Sequence, residues 1–464
     1  MSTMIHFGTD GWRARLDGGF TDDNVARAAD AAGKYWSRSA PGSVVYVGYD
    51  TRPGADHFAK LAGRVIARRG LEVKVSDRYV PTPALSWAIA NDSDACGGVM
   101  ITGSHNGQEY LGFKLRVADG TIGTSDFYEE IEDLVPYSPP KKRGEVEKID
   151  FVSPYLEQLT GLVDGQRIHD ARLKIVYDPM YGSASRYASD ALIRLGVETA
   201  EIHSAAGKVP DDIHPEPIEP WVDDCEDAVV SSGASAGLIN DGDGDRVGAV
   251  DENGQFVSQQ KILALLLEHL VTNRGMTGRV VLTPASSVLV RRVAKKLGLR
   301  VAVKQIGFTH ICREMAKGNI LIAGEEAGGI AVPSLAPERD GLLMDLLLCE
   351  LMAWSGKSLG ELVAELEREH GKHYYARRDL RLAAEVIETL RTMLPGMNPP
   401  EVAGRKPVAV SHLDGMRMEF DDESWLLLRP SGTEPLVRVY AEASTVEQRD
   451  ELLDAGCELA RNAL

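Results

Sequence analysis

The chain has 464 residues, 51 lysines and arginines against 69 aspartates and glutamates, a formal net charge of −18, and 44% hydrophobic residues. That acidic balance argues against nucleic acid as a partner, which attracts basic faces, and no apolar run is long enough to span a bilayer. The first residues lack the charged-then-apolar layout of a secretory signal, and five scattered cysteines without C-x-x-C spacing read as reduced thiols, so a cytoplasmic protein of three or four domains is expected.

Along the chain, short β-rich apolar runs alternate with Ala- and Leu-rich helical stretches. Such runs include 43–50, 96–103, 173–179, 236–241 and 278–284; predicted helices include 23–38, 55–70, 183–196, 260–273, 286–297 and 341–354. The alternation predicts α/β domains with parallel or mixed sheets. Three of the apolar strands stop in polar, glycine-bearing loops: "GGVMITGSHNG", "AGLINDGDGDR" and "NILIAGEEAGG". Ligands collect beyond the carboxyl ends of such strands, so three domains facing one cleft are expected. Boundaries are placed in the proline- and lysine-bearing stretch 135–145, just after Asp251, and near Gly371, giving domains 1–145, 146–253 and 254–371. From 372 to 464 the pattern changes to a smaller α+β domain, with strands in "VAVSHLDGMRMEF", "SWLLLRPSG" and "LVRVYAEA". Ser444 and Glu447 read as a capping box for the last helix.

The loops carry the candidate chemistry. In "TGSHNGQEYLGFKL", Ser104 ends a strand and is a candidate nucleophile or phosphate carrier beside His105. It is no nucleophile elbow, because Thr102 and Asn106 stand where that motif needs glycine. Lys114 is a candidate base or charge clamp, with a snorkelling surface lysine as the plain alternative. In "DGDGDR", three carboxylates at alternate positions repel unless a cation sits among them, and hard oxygen ligands suit Mg²⁺ or Ca²⁺. An EF-hand is disfavoured by Arg246 at position six; a phosphatase-type aspartyl nucleophile and a solvated acidic turn stay open. "GEEAGG" puts Glu325 and its neighbour after a strand, where carboxylates accept sugar hydroxyl hydrogens. In "RPSGTEPLVRVY", Arg429, Ser431, Thr433 and the amides around Gly432, with Arg438 on the next strand, suit a phosphate dianion.

Together these loops resemble the α-D-phosphohexomutase family, the phosphoglucomutases and phosphomannomutases, over nearly the whole chain and in the family's order. "FGTDGWRA" at 7–14 is similar to its opening signature, "TGSHNG" to its phosphoserine loop, "DGDGDR" to its metal loop, "GEEAGG" to its sugar loop and "RPSGTEP" to its phosphate loop; "HPEP" at 214–217 also looks familiar. The resemblance implies three related α/β domains and a smaller C-terminal one around a central cleft. It implies that Ser104 carries a phosphoryl group and that Asp241, Asp243 and Asp245 hold Mg²⁺ with a phosphoserine oxygen. Arg246 would neutralise that phosphate, Lys114 and His105 would move protons, and Glu325 would bind hydroxyls. Arg429, Ser431, Gly432, Thr433 and Arg438 would clamp the distant phosphate. Arg13 would lie near the serine loop, and Arg339 stands where the family often has lysine. A hexose 1-phosphate and 6-phosphate would interconvert, with glucose 1,6-bisphosphate as activator and the enzyme a monomer or homodimer.

Departures at five positions matter. Gly103 and Gly107 replace the usual alanine and proline and are expected to loosen the serine loop. Ala327 stands where many members have a serine that touches the sugar, so one hydroxyl contact is expected to be missing. Gly329 and Phe308 stand where mannose- or glucosamine-handling members often have histidine, and both lean towards glucose, in the style of phosphoglucomutases.

Overall fold

The computed structural model describes residues 5–211, 213–431 and 436–462. It contains four sheets. The first runs, in spatial order, Trp12–Arg15, Tyr110–Val117, Ala95–Ile101, Val44–Tyr49, Glu72–Ser76 and Glu147–Ile149. The second runs Phe256–Val257, Val247–Asp251, Ala236–Asn240, Lys174–Asp178 and Glu198–Glu201. The third runs Val301–Val303, Arg279–Leu282, Ile320–Gly324 and Ile330–Ala331.

These three sheets repeat one arrangement. In each, a fully or largely buried strand (Ala95–Ile101, Ala236–Asn240, Ile320–Gly324) pairs parallel with an earlier strand and antiparallel with the strand that follows it. The link between the last two is in turn the serine loop, the aspartate loop and the "GEEAGG" loop. The sequence expectation of three variations on one α/β plan holds. A common apolar core joins the three domains through residues such as Leu85, Tyr155, Tyr177, Leu238 and Leu343.

The helix Gly341–Ser355 is apolar all round and almost wholly buried, which is the composition of a core helix. Asp340 caps it, accepting from Leu343 N at 2.9 Å and from the Tyr155 hydroxyl at 2.9 Å. Gly341 N donates to Gly244 O at 3.0 Å, so the start of this central helix is fastened to the aspartate loop and delivers Arg339 there.

The fourth sheet is wholly antiparallel: Tyr374–Arg381, Leu436–Ala443, Trp425–Pro430, Met416–Glu419 and Ala409–Ser411. It has its own core, including Leu390, Met418, Leu426, Val439 and Leu453. It meets the third domain through a small cluster of Ala285, Val288, Ile306, Trp425, Leu427 and Tyr440. Val288 N, at the start of a third-domain helix, donates to Glu442 at 3.0 Å.

Local details differ from the sequence expectations. The closing helix, Val446–Arg461, is capped by Thr445, which accepts from Gln448 N at 3.2 Å; the cap is one residue later than expected and the Ser444–Glu447 capping box does not form. The helix expected over 183–196 spans only Tyr187–Arg194, because Arg186 takes a positive φ of 69° that breaks the preceding turn. No helix among the described residues is long and apolar enough to cross a membrane.

Candidate active site

Ser104 is 1% exposed and takes a left-handed φ of 50°, a conformation that costs a non-glycine residue energy and marks sites held for a purpose. Its amide donates to Thr102 Oγ1 at 2.8 Å. Its hydroxyl donates to Asp241 Oδ2 at 3.1 Å and lies 3.3 Å from His105 Nδ1. Arg52, buried beneath the loop, donates to Ser104 O at 2.7 Å and Tyr110 O at 3.0 Å, and also to the carbonyls of Asn106 and Gly107. Asp50 lies 3.3 Å from Arg52 and accepts from Gly103 N at 3.0 Å. A Cβ at 103 would stand 2.3 Å from the Arg52 guanidinium carbon. Gly103 therefore makes room for an internal brace, and the expected loosening of the loop gives way to four cross-links from one guanidinium. Arg13 reaches the same loop, donating to Asn106 Oδ1 at 2.7 Å.

The aspartate loop lies directly against the serine. Gly242 allows that approach, since a Cβ there would meet Ser104 O at 2.3 Å. Asp241, Asp243 and Asp245 are all 1% exposed or less, and one carboxylate oxygen from each falls within 4.8 Å of the others. Burial, and then the charges of Asp245 and Asp243, push the Asp241 carboxyl well above the usual range. Asp243 Oδ1 and Asp245 Oδ1 are buried without a hydrogen-bond partner. Three crowded carboxylates, two of them with an orphaned oxygen, fit a divalent cation such as Mg²⁺, with the Ser104 hydroxyl as a neighbouring oxygen. The preceding segment is a strand, so the helix–loop–helix of an EF-hand is absent here.

Cations surround this acid. Lys114, 1% exposed, places Nζ 2.6 Å from Asp243, 3.2 Å from Asp245 and 3.1 Å from Asp10. It is no snorkelling surface side chain: burial opposes its charge, but Asp10, Asp243 and Asp245 raise its pKa above the ordinary lysine value. Arg246 pairs with Glu216 of the "HPEP" stretch at 2.8 Å and lies 3.9 Å from Asp241. Thr82 donates to Asp243 at 2.6 Å. Burial, then Arg246, Arg13, Lys114 and Arg438, hold His105 well below its usual pKa, leaving a neutral imidazole beside the serine.

Arg339 ties the third domain in. Its guanidinium lies 3.0 Å from Asp245, 2.9 Å from Asp10 and 3.8 Å from Glu325, and sits over the Phe308 ring at 4.6 Å. A Cβ at Gly329 would meet Arg339 Cδ at 2.6 Å. The departures at 308, 329 and 339 are thus one packed set: the arginine takes the space a side chain at 329 would fill and rests on the ring at 308. Glu325 accepts from Gly307 N at 2.8 Å. Ala327 sits beside it, half-buried and without a hydroxyl.

In the fourth domain, Arg429 and Arg438 are directly opposite across neighbouring strands. Asp414, 2.9 Å from Arg429, offsets one of these two charges, and the pair together still suits a phosphate dianion. Ser431 is 3% exposed next to them; Gly432 and Thr433 lie outside the described residues. Sequence reasoning missed Asp10, Asp50, Arg52, Thr82, Glu216 and Asp414, which brace the named residues. Of these, only Asp10 and Glu216 lie in motifs that had been singled out.

Four family profiles match the chain, described as phosphoglucomutase/phosphomannomutase α/β/α domain I over residues 4–138, domain II over 153–254, domain III over 258–370, and the C-terminal domain over 396–458. The chain belongs to the phosphoglucomutase/phosphomannomutase family. It is 32% identical to a phosphoglucomutase/phosphomannomutase of Thermococcus kodakarensis over 99% of both chains. It is 28% identical to a phosphoglucosamine mutase of Moorella thermoacetica, over 96% of this chain and 97% of the relative. A crystal structure from Thermus thermophilus, provisionally named a phosphomannomutase, matches with a TM-score of 0.89 at 32% identity and full coverage of both chains. The family consists of Mg²⁺-dependent mutases acting on sugar phosphates, and this chain has the family's fold and a buried acidic triad suited to that ion.

Proposed function

We propose that the enzyme interconverts glucose 1-phosphate and glucose 6-phosphate through phospho-Ser104 and a glucose 1,6-bisphosphate intermediate. The observation that carries this reading is the Ser104 hydroxyl, 3.1 Å from Asp241 within a buried acidic triad. Asp241, Asp243 and Asp245 would hold Mg²⁺ with an oxygen of the modified serine, and the ion supplies positive charge that offsets the transferring phosphoryl group.

The chain's own groups do the rest. The Ser104 Oγ–phosphorus bond breaks as a sugar oxygen bonds to phosphorus, and the hydroxyl proton leaves to a nearby base. His105, neutral and adjacent, takes that proton and returns it to the departing Ser104 oxygen, while Lys114, held protonated by its carboxylates, steadies the charge beside it. Arg246, held by Glu216, flanks the serine phosphate. Glu325 orients the sugar by accepting hydroxyl hydrogens, while Arg429, Ser431 and Arg438, with Gly432 and Thr433, clamp the phosphate that is not reacting. Arg13 and Arg339 keep the serine and sugar loops in register. After the bisphosphate turns over in the cleft, the reverse transfer restores phosphoserine.

A coupled assay with glucose 1-phosphate and Mg²⁺, with and without glucose 1,6-bisphosphate, tests this. Glucose 6-phosphate formation stimulated by the bisphosphate supports it; steady release of inorganic phosphate indicates an aspartyl phosphatase, and no turnover a sugar-phosphate binder. The packed Phe308–Arg339–Gly329 set supports glucose over mannose or glucosamine, and relative turnover on the three 1-phosphates decides that point.

The role of Glu325 gives a pH prediction. Burial, then the charge of Glu326, push its carboxyl up to about 7 from an ordinary 4.5. The folded state therefore binds this proton more tightly than the unfolded chain, so its stabilising contribution is full below pH 4.5 and is lost as pH rises through 7. Sugar recognition runs the other way, because the ionised form is the better acceptor. The acid limb of kcat/KM should bend near pH 7, and Glu325→Gln should lower kcat/KM and flatten that bend. An unchanged bend in the glutamine variant assigns it elsewhere.

A further inference from the structure

The phosphate clamp is on one domain and the sugar loop on another, and one carboxylate touches the machinery of both. Asp414 sits in the turn between Ala409–Ser411 and Met416–Glu419. Its Oδ2 accepts from Arg429 Nε at 2.9 Å and, across the domain boundary, from the backbone N–H of Ile306 at 2.8 Å. The next peptide N–H, that of Gly307, donates to Glu325 at 2.8 Å. Two consecutive amides of one short segment thus go, one to the residue that holds the clamp arginine, the other to the carboxylate that reads the sugar. Phe308, on which Arg339 rests, follows at once.

The turn is built to stay in place. Gly415 has φ 78°, and a Cβ there would stand 2.2 Å from Leu428 O, so the chain presses against its neighbouring strand. Asp414 and Arg429 are each under one-fifth exposed, where a charged hydrogen bond is less screened than at the surface. Binding through Nε fixes the plane of the guanidinium and leaves its Nη edge as the part that meets a phosphate.

We propose that Asp414 is a positioning residue: it aims Arg429 at the substrate's non-reacting phosphate and docks the fourth domain on the sugar-reading segment, so that phosphate grip and sugar recognition form together. This rests on the mutase reading of the site. The apolar contact between the third and fourth domains is small, so a polar link of this kind has leverage on closure.

The test compares the wild-type enzyme with Asp414→Ala, Asp414→Asn and, as a control, Asp421→Asn, an exposed carboxylate of the same domain. Glucose 1-phosphate kinetics and calorimetric titration with glucose 6-phosphate are measured with each protein's melting temperature. Removing the partner of a charged hydrogen bond is expected to raise KM and weaken glucose 6-phosphate binding by about tenfold to a hundredfold in Asp414→Ala. Asp414→Asn keeps an acceptor for the Ile306 amide but loses the charge facing Arg429, so it should fall between; it carries the test if the alanine variant does not fold. Asp421→Asn should match wild type. KM and affinity within twofold of wild type in both Asp414 variants, or a loss confined to melting temperature and kcat, overturns the proposal. If wild type shows no mutase turnover, the functional reading fails, and the titration alone still decides whether Asp414 sets phosphate affinity.

Discussion

Ser104→Ala should lose nearly all mutase turnover, by roughly 10⁴- to 10⁶-fold, the scale on which removal of a covalent nucleophile acts. The surrounding donors cannot compensate, because they are arranged about the serine oxygen: Asp241 at 3.1 Å, His105 at 3.3 Å, and the Arg52 brace on the carbonyls behind it. The same position allows function and folding to be separated. Ser104 pays for its left-handed φ of 50°, and glycine does not, so Ser104→Gly should be as inactive as the alanine variant yet more stable than it by about 1 kcal/mol. Intact mass after incubation with glucose 1,6-bisphosphate should show phosphorylation of wild type and none of either variant. Near-normal turnover in the alanine protein, or phosphorylation retained without residue 104, would remove the serine from the mechanism.

What could be read from sequence divides along a physical line. The repeated strand-then-loop plan was legible because an apolar run ending in glycine and polar residues is a local pattern, as in 96–107 and 236–246. The residues that carry chemistry sit in those same loops, so Ser104, the three aspartates and Glu325 were visible too. The braces were not. Arg52 acts on carbonyls more than fifty positions away, and Asp414 on an amide 108 positions away, and neither leaves a periodic or spaced signature. Gly103 shows how this misleads: glycine reads as freedom, yet here it is the space an arginine fills. The strand Tyr374–Arg381 was hidden for another reason. It is a sheet edge carrying Arg377, Arg378, Asp379 and Arg381, and edge charge blurs the alternation a strand should show.

Lys114→Met is the second large effect, and it concerns charge. Asp10, Glu216, Asp241, Asp243, Asp245 and Glu338 form a largely buried acidic group that Lys114, Arg116, Arg246 and Arg339 offset only in part. Deleting the lysine leaves two carboxylates of the triad and Asp10 short of a partner, and breaking a buried ion pair on one side costs about 3–5 kcal/mol. The variant should melt well below wild type and turn over slowly. Lys114 also shares Asp243 and Asp245 with the cation the triad fits: the lysine holds their Oδ2 atoms, the orphaned Oδ1 atoms are left for the ion, and two positive charges then draw on the same carboxylates. Without the lysine, a divalent ion should bind more tightly and restore more stability, since a ligand of the folded state stabilises it by an amount that grows as the logarithm of one plus the ratio of free ion to Kd. The melting temperature of Lys114→Met should therefore climb more steeply with Mg²⁺ than that of wild type, while Lys114→Arg, which keeps a cation, should show a shallower response. Parallel Mg²⁺ dependences for all three proteins would mean that the lysine and the ion do not meet at these carboxylates, and that the acid is balanced in some other way.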